Sequence, residues 1–255
     1  MRALNQSLAI LMLISSSAAA TSPPPQLAKP LDGSGQLVLV MVTDWQANTG
    51  ILQSFERNDG DWHAVAGPHE VTVGRNGSAW GLGLQLPQAD GPQKREGDGK
   101  APAGVFTIGF AFGSLPAIES GLKYRQMDAS DWCIDVSASP LYNRIVSTLE
   151  VGADAVKGST EPMRRDIHLS GDAVYRKGFV IQHNAGNSPG RGSCIFAHLW
   201  RAPGIPTAGC TAMPEPVMDG LLAWLDADKH PLFVLLPESE YRRLLEPWQL
   251  PELNP

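Results

Sequence analysis

Charged side chains are scarce in this chain, at 18% Asp, Glu, Lys and Arg, and their balance is acidic, with a net charge of -6. That argues against nucleic acid as a partner, because phosphate binding needs a basic face. Metal-site signatures are missing too. There is no HExxH or CxxC, and His63, His69, His168 and His230 lack ligand-like spacing, so no metal is expected. The Gly97–Gly99 stretch lacks the GxxxxGK[ST] frame of a phosphate loop, and Ser193 lacks the GxSxG frame of a serine nucleophile. No cofactor is implied. Internal repeats are absent, and no apolar run, Leu8–Ser15 included, is long enough to span a bilayer as a helix.

Glycine and proline are plentiful, at 26 and 21 residues, beside 43% hydrophobic content. That mixture reads as strands joined by many turns around a packed core. The first residues read as a targeting segment. Arg2 precedes the apolar run Leu8–Ser15, and Ala18 and Ala20 stand in an A-x-A relation. Residues 1–20 are therefore expected to be a secretory signal. Residues 21–35 form a Pro-rich linker, and residues 36–255 a single catalytic domain. Export across the inner membrane, to a periplasm, follows, with no integral membrane segment after cleavage.

Export makes the cysteine count informative, because disulfides persist outside the cytosol. Three cysteines remain, Cys133, Cys194 and Cys210, so at least one thiol is unpaired within the chain. The simplest arrangement joins Cys133 to Cys194 and leaves Cys210 free; the sequence alone does not fix the pairing, and no disulfide at all is the alternative.

Short β runs are expected at residues 36–43, 50–57, 70–74, 105–112, 133–136, 179–183, 193–199 and 233–236. Asn58-Asp59-Gly60-Asp61 is a hairpin turn signal. The segment 147–177 reads either as a short helix or as a long loop over a site. A helix is expected over Glu215–Ala227, with Pro214 and Pro216 at its start, and a short terminal one over Tyr241–Leu245. The predicted fold is mainly β, a β-sandwich with one or two short helices.

The chemistry concentrates in residues 192–213, GSCIFAHLWRAPGIPTAGCTAM. His198 ends a β run, a Pro/Gly-rich loop follows, and Cys210 stands 12 residues on. A free thiol with a pKa near ~8.5 is mostly protonated at neutral pH and needs an adjacent base. Cys210 also lies just before the predicted helix, and Gly209 permits close approach of a substrate carbonyl, so the pair suits a nucleophile with an oxyanion-stabilising backbone.

The stretch from His198 to Thr207-Ala208-Gly209-Cys210, together with Lys94-Arg95-Glu96-Gly97-Asp98-Gly99 and Pro102-Ala103-Gly104-Val105-Phe106, resembles the L,D-transpeptidase catalytic domain (the YkuD-like family), in a divergent bacterial branch. The resemblance spans roughly residues 36–237. It implies Cys210 as nucleophile, His198 as base oriented by a backbone carbonyl, Gly209 in the oxyanion hole and Thr207 shaping the loop or touching substrate. It also implies peptidoglycan stem peptides as partners, cross-linked through a thioester in 3-3 or 1-3 links. Two positions depart from the family pattern: Ala208 stands where His is usual, and Ala212 where an Arg follows the Cys. Arg191 and Arg201, with Arg75, Lys94 and Arg95, are candidate replacements for a substrate carboxylate. Trp200 is a candidate pocket wall, and His183 a candidate pocket residue. The rival readings are an L,D-carboxypeptidase or other wall amide hydrolase with the same site, and a non-catalytic wall-binding module.

Overall fold

Strand β1 (Gln36–Val42) has the sequence QLVLVMV, and every residue but Met41 is buried. A strand without polar alternation must be covered on both faces. In the computed structural model, which describes residues 28–253, β1 lies between β2 (Thr49–Asn58) and β13 (Leu232–Pro237). β2 and β3 (Asp61–Thr72) form a hairpin whose tip places Asp59 and Gly60 at positive φ, as the turn signal requires. The remaining strands are β4 (Ser78–Trp80), β5 (Ala101–Gly113), β6 (Tyr124–Gln126), β7 (Asp131–Cys133), β8 (Ile145–Ser147), β9 (Glu161–Pro162), β10 (Lys177–Ile181), β11 (Phe196–Leu199) and β12 (Thr211–Met213). The helices are α1 (Thr148–Val151), α2 (Arg165–His168), α3 (Glu215–Trp224) and α4 (Glu238–Trp248).

The fold is mainly β, but the expected sandwich is corrected to a closed barrel. Strands follow the order β10-β11-β12-β3-β2-β1-β13-β5, and β5 pairs back to β10. Closure rests on β5, whose 13 residues are long enough to serve β13, β10, β4 and β6 at different points. The seam between β12 and β3 is a single pairing, Ala212 with Thr72. Leu31 is fully buried in the main core, so packing begins before Gln36. The predicted signal segment 1–20 lies outside the described residues. Among those described, no helix is long and apolar enough to cross a membrane.

The barrel wall separates two apolar clusters. Ala197 and Leu199 of β11 and Met213 of β12 join the main core. Phe196 and Cys210 join a second cluster outside the wall, with Phe112, Met127, Met163, Val174 and Tyr175. Strand alternation therefore puts His198 on the outer face with Phe196. This second cluster is roofed by the excursion between β5 and β10, which carries a three-stranded sheet of order β8-β7-β9. The Cys133–Cys194 disulfide ties that roof to the chain just before β11, leaving Cys210 as the free thiol.

Candidate active site

Cys210 enters the second cluster because the turn before β12 is built to place it there. The Thr207 hydroxyl donates to the Cys210 carbonyl at 2.6 Å and accepts from Gly209 N–H at 3.1 Å. The turn is bound to the barrel wall by Thr207 N–H to Val73 O at 2.9 Å and Arg75 N–H to Thr207 O at 2.8 Å. Gly209 is required by close approach: a Cβ there would lie 2.9 Å from the Lys100 carbonyl oxygen.

That carbonyl belongs to the Lys94–Lys100 motif, which frames the site without lining a phosphate. Asp98 holds its own turn, accepting from Arg95 N–H at 2.8 Å, Lys100 N–H at 2.9 Å and Lys94 Nζ at 2.5 Å. Glu96 accepts from the Ser193 hydroxyl at 2.7 Å and from Tyr142. Tyr142 in turn accepts from Gly192 N–H at 3.0 Å. The motif thus fixes both approaches to the site, the Gly209 turn and the segment leading into Cys194.

β11 and β12 run parallel in the register Ala197 with Thr211 and His198 with Ala212. Cys210 and His198 consequently share one face, two residues apart along the strand direction. The His198 imidazole meets the Leu199 carbonyl through Nδ1 at 2.7 Å. A carbonyl only accepts, so Nδ1 carries the proton and Nε2 is the free acceptor. The Cys210 sulfur is met by Phe196 N–H at 3.4 Å and faces the Cys194 carbonyl at 3.5 Å. No hydrogen bond joins sulfur and imidazole among the described residues. Burial pushes the thiol up to about 12, the nearby Glu161 carboxylate adding to the effect. Burial likewise holds the His198 imidazole down at about 4. At rest the pair is therefore an uncharged thiol and a neutral imidazole.

The remaining predicted residues divide. Trp200 and Arg201 border an open cleft of 780 Å³ beside Leu199, with Asp172 and Val174 opposite. Arg201 is paired to Asp172 at 2.6 Å. His183 lines a smaller cavity of 140 Å³ with Cys133, Asn143 and Cys194. Both its nitrogens serve the main chain, however: Nδ1 accepts from Leu82 N–H at 3.3 Å and Nε2 meets the Arg191 carbonyl at 2.9 Å. His183 thus ties the main chain together at the cavity wall, and burial lowers its pKa to about 3. Arg191 is engaged through its carbonyl at the same point. Lys94 is buried and paired to Asp98, which removes it from the candidates for a substrate carboxylate. Gly209 N–H is directed to Thr207, so any oxyanion contact there competes with that bond.

Sequence reasoning missed Tyr175, Glu161 and Arg165. The Tyr175 ring packs against His198 with centroids 5.1 Å apart and shares the second cluster with Cys210. Arg165 pairs with Glu161 at 2.7 Å and with Asp172 at 2.9 Å. The only signal for them was the unresolved choice over residues 147–177 as helix or covering loop.

No protein-family model and no curated protein matches the chain. Among solved structures, the helical cell shape determining protein Pgp2 from Campylobacter jejuni aligns with 16% identity and a TM-score of 0.34, over 81% of this chain and 49% of that one. A point mutant of the same protein aligns with a TM-score of 0.35 over 81% and 48%. The chain spans about half the length of these structures, and a likeness this slight carries no argument about function.

Proposed function

We propose that the protein is an exported cysteine acyltransferase of the cell wall, an L,D-transpeptidase acting on peptidoglycan stem peptides. The observation that carries this reading is the placement of the free thiol of Cys210 on the same face of the barrel wall as His198, whose Nε2 is left open by the Leu199 carbonyl. The sequence resemblance supplies the substrate class.

In this mechanism the Cys210 sulfur attacks the stem-peptide carbonyl at an L-centre while its proton passes to His198 Nε2. A neutral resting pair means that proton transfer accompanies attack, rather than preceding it as a stored ion pair, and resting contacts in such sites are often long. The tetrahedral oxyanion forms against backbone N–H groups around Gly209 and Cys210. Collapse gives the thioester and expels the next residue, whose amine takes the proton from His198. An amine from a second stem then attacks the thioester, with His198 again as base, and releases the thiol.

Purified protein incubated with muropeptides tests the proposal. Cross-linked dimers are expected, made by the natural protein and absent with Cys210→Ala, while His198→Ala loses turnover by roughly two to four orders of magnitude. A carbapenem should add one covalent adduct at Cys210. Shortened, uncrosslinked stems as sole products would assign the same site to hydrolysis. Intact substrate and no adduct would leave a wall-binding module.

A further inference from the structure

We propose that a groove on the outer face of the barrel, walled by Trp200, is a subsite for one sugar ring of the glycan strand, a neutral N-acetylated amino sugar. The inference rests on the acyl-transfer reading of Cys210 and His198, from which it takes its ligand class, and adds to that site a second place of contact.

Strand register places the groove beside the candidate active site. His198 pairs with Ala212, Ala212 with Thr72, and Thr72 with Thr49. Residues paired across neighbouring strands point to one face. They therefore form a row across β11, β12, β3 and β2 that starts at the imidazole. Next to it runs a second row, Glu70, Ile51 and Met41, again paired in turn. Val71, between Glu70 and Thr72, points the other way, into the main core. Trp200 stands two residues after His198, and its N–H meets the Met213 carbonyl at 2.9 Å, which carries the β11–β12 ladder one step further. Its side chain thus shares the outer face, and Trp200 walls both the groove of 290 Å³ and the wider cleft. Two strand spacings put Thr72 about 10 Å from His198. Ala212 lies between them, buried and without charge.

The lining selects the ligand. No Lys or Arg is among the described residues of the groove, whose charged groups are the carboxylates of Glu70 and Glu238. Glu238 is engaged by Arg242, and Glu70 is exposed. A carboxylate or phosphate is repelled there, whereas O–H and amide N–H donors find acceptors. Threonines 43, 49 and 72 add hydroxyls, and that of Thr72 has no partner among the described residues. Met41, Ile51 and Trp200 supply apolar contact. A pyranose ring has the matching surface, with C–H groups on its faces and hydrogen-bonding groups on its rim. The volume is at the low end of small-molecule sites, about 300–1,000 Å³, which suits one ring and not a chain. The spacing fits as well. An extended peptide advances about 3.3–3.6 Å per residue, so about three stem residues bridge the distance from the groove to the carbonyl beside His198.

Calorimetric titration with a peptide-free, β-1,4-linked tetramer of N-acetylglucosamine tests the subsite without turnover. The natural protein is expected to bind it. Ile51→Glu, which puts a charged side chain on the groove floor at an exposed position, should weaken binding by roughly tenfold or more, and Trp200→Ala by a similar factor. Should either variant fail to fold by circular dichroism, the other decides. Absence of binding, or binding unchanged in the folded variants, overturns the proposal. Turnover gives a second readout. The natural protein should show a KM roughly tenfold lower for stems that carry their disaccharide than for free stem peptides, and Ile51→Glu should remove that difference with kcat unchanged. Equal KM values in the natural protein overturn the proposal, as does a free amine-bearing stem peptide that displaces the tetramer more strongly than the sugar-bearing stem does. The two readings fail separately. Cross-linking without tetramer binding strikes this inference alone, and tetramer binding lost in Ile51→Glu without any cross-linking strikes the acyl-transfer reading alone.

Discussion

Position 209 has no room for a side chain. The Lys100 carbonyl that a Cβ would meet is backbone, and it is pinned by the Asp98 carboxylate on its own N–H. Gly209→Ala is therefore expected to cost about 1–3 kcal/mol of stability and to lower turnover further by displacing Cys210; a urea titration beside a turnover assay reads both. Thr207→Val is isosteric but removes the hydroxyl that joins the Gly209 N–H to the Cys210 carbonyl. It leaves buried backbone groups unpartnered, for a loss of about 1–3 kcal/mol, while Thr207→Ser retains most of the natural stability. Residues of this turn were legible because they are contiguous and carry a recognisable pattern. Tyr175 and Glu161 were not. They stand 35 and 49 residues before Cys210 in sequence, and a lone Tyr or Glu in an irregular segment has no local signature.

At the scale of elements, the roof is held by its disulfide more than by its own secondary structure. Its strands β7, β8 and β9 span two or three residues each, too few to be stable unaided. The Cys133–Cys194 bridge closes a loop with a sequence separation of 61, for which chain entropy gives about 4 kcal/mol. Cys133→Ser with Cys194→Ser is expected to lose much of that. It should also open residues 121–176 to proteolysis before the barrel and raise the alkylation rate of Cys210 as the cluster over it loosens. Limited proteolysis read by mass spectrometry checks the order of cleavage. Most strands of the barrel were visible as short apolar runs. Their closure was not, because a strand's composition reports burial and not partners. β10 reads the same whether its second edge is free, as in an open sheet, or paired to β5. The β3 strand was also underestimated: residues 61–69 are mostly exposed, so the apolar signal begins only near Val71.

Across the whole molecule, burial of imidazoles sets the response to acid. His183 is held at about 3 and His198 at about 4, burial being the main cause in each, against ~6.5 for a free imidazole. Above about pH 6.5 both are neutral in the folded and unfolded chains, and their contribution to stability is fully present. As pH falls below that value the unfolded chain takes up two protons that the folded chain refuses. Stability then drops by about 1.4 kcal/mol per pH unit for each imidazole until the folded values are reached. By pH 4 this is up to about 3 kcal/mol from each, a large share of the about 5–15 kcal/mol that holds a domain together. Urea midpoints measured between pH 7 and about pH 4 should fall with a slope near two protons. His183→Asn, which can still accept from Leu82 N–H, should give a slope near one proton and a lower stability at pH 7. The acid-labile unit is then the frame of the site itself. His183 joins the segment before Cys194 to Leu82 in the loop after β4, so its protonation loosens the same stretch that positions Phe196 N–H against the sulfur. Cys210 alkylation at pH 5 should consequently be faster than extrapolation of the thiol's own titration allows, and a rate lying on that extrapolation would show that the frame holds until global unfolding.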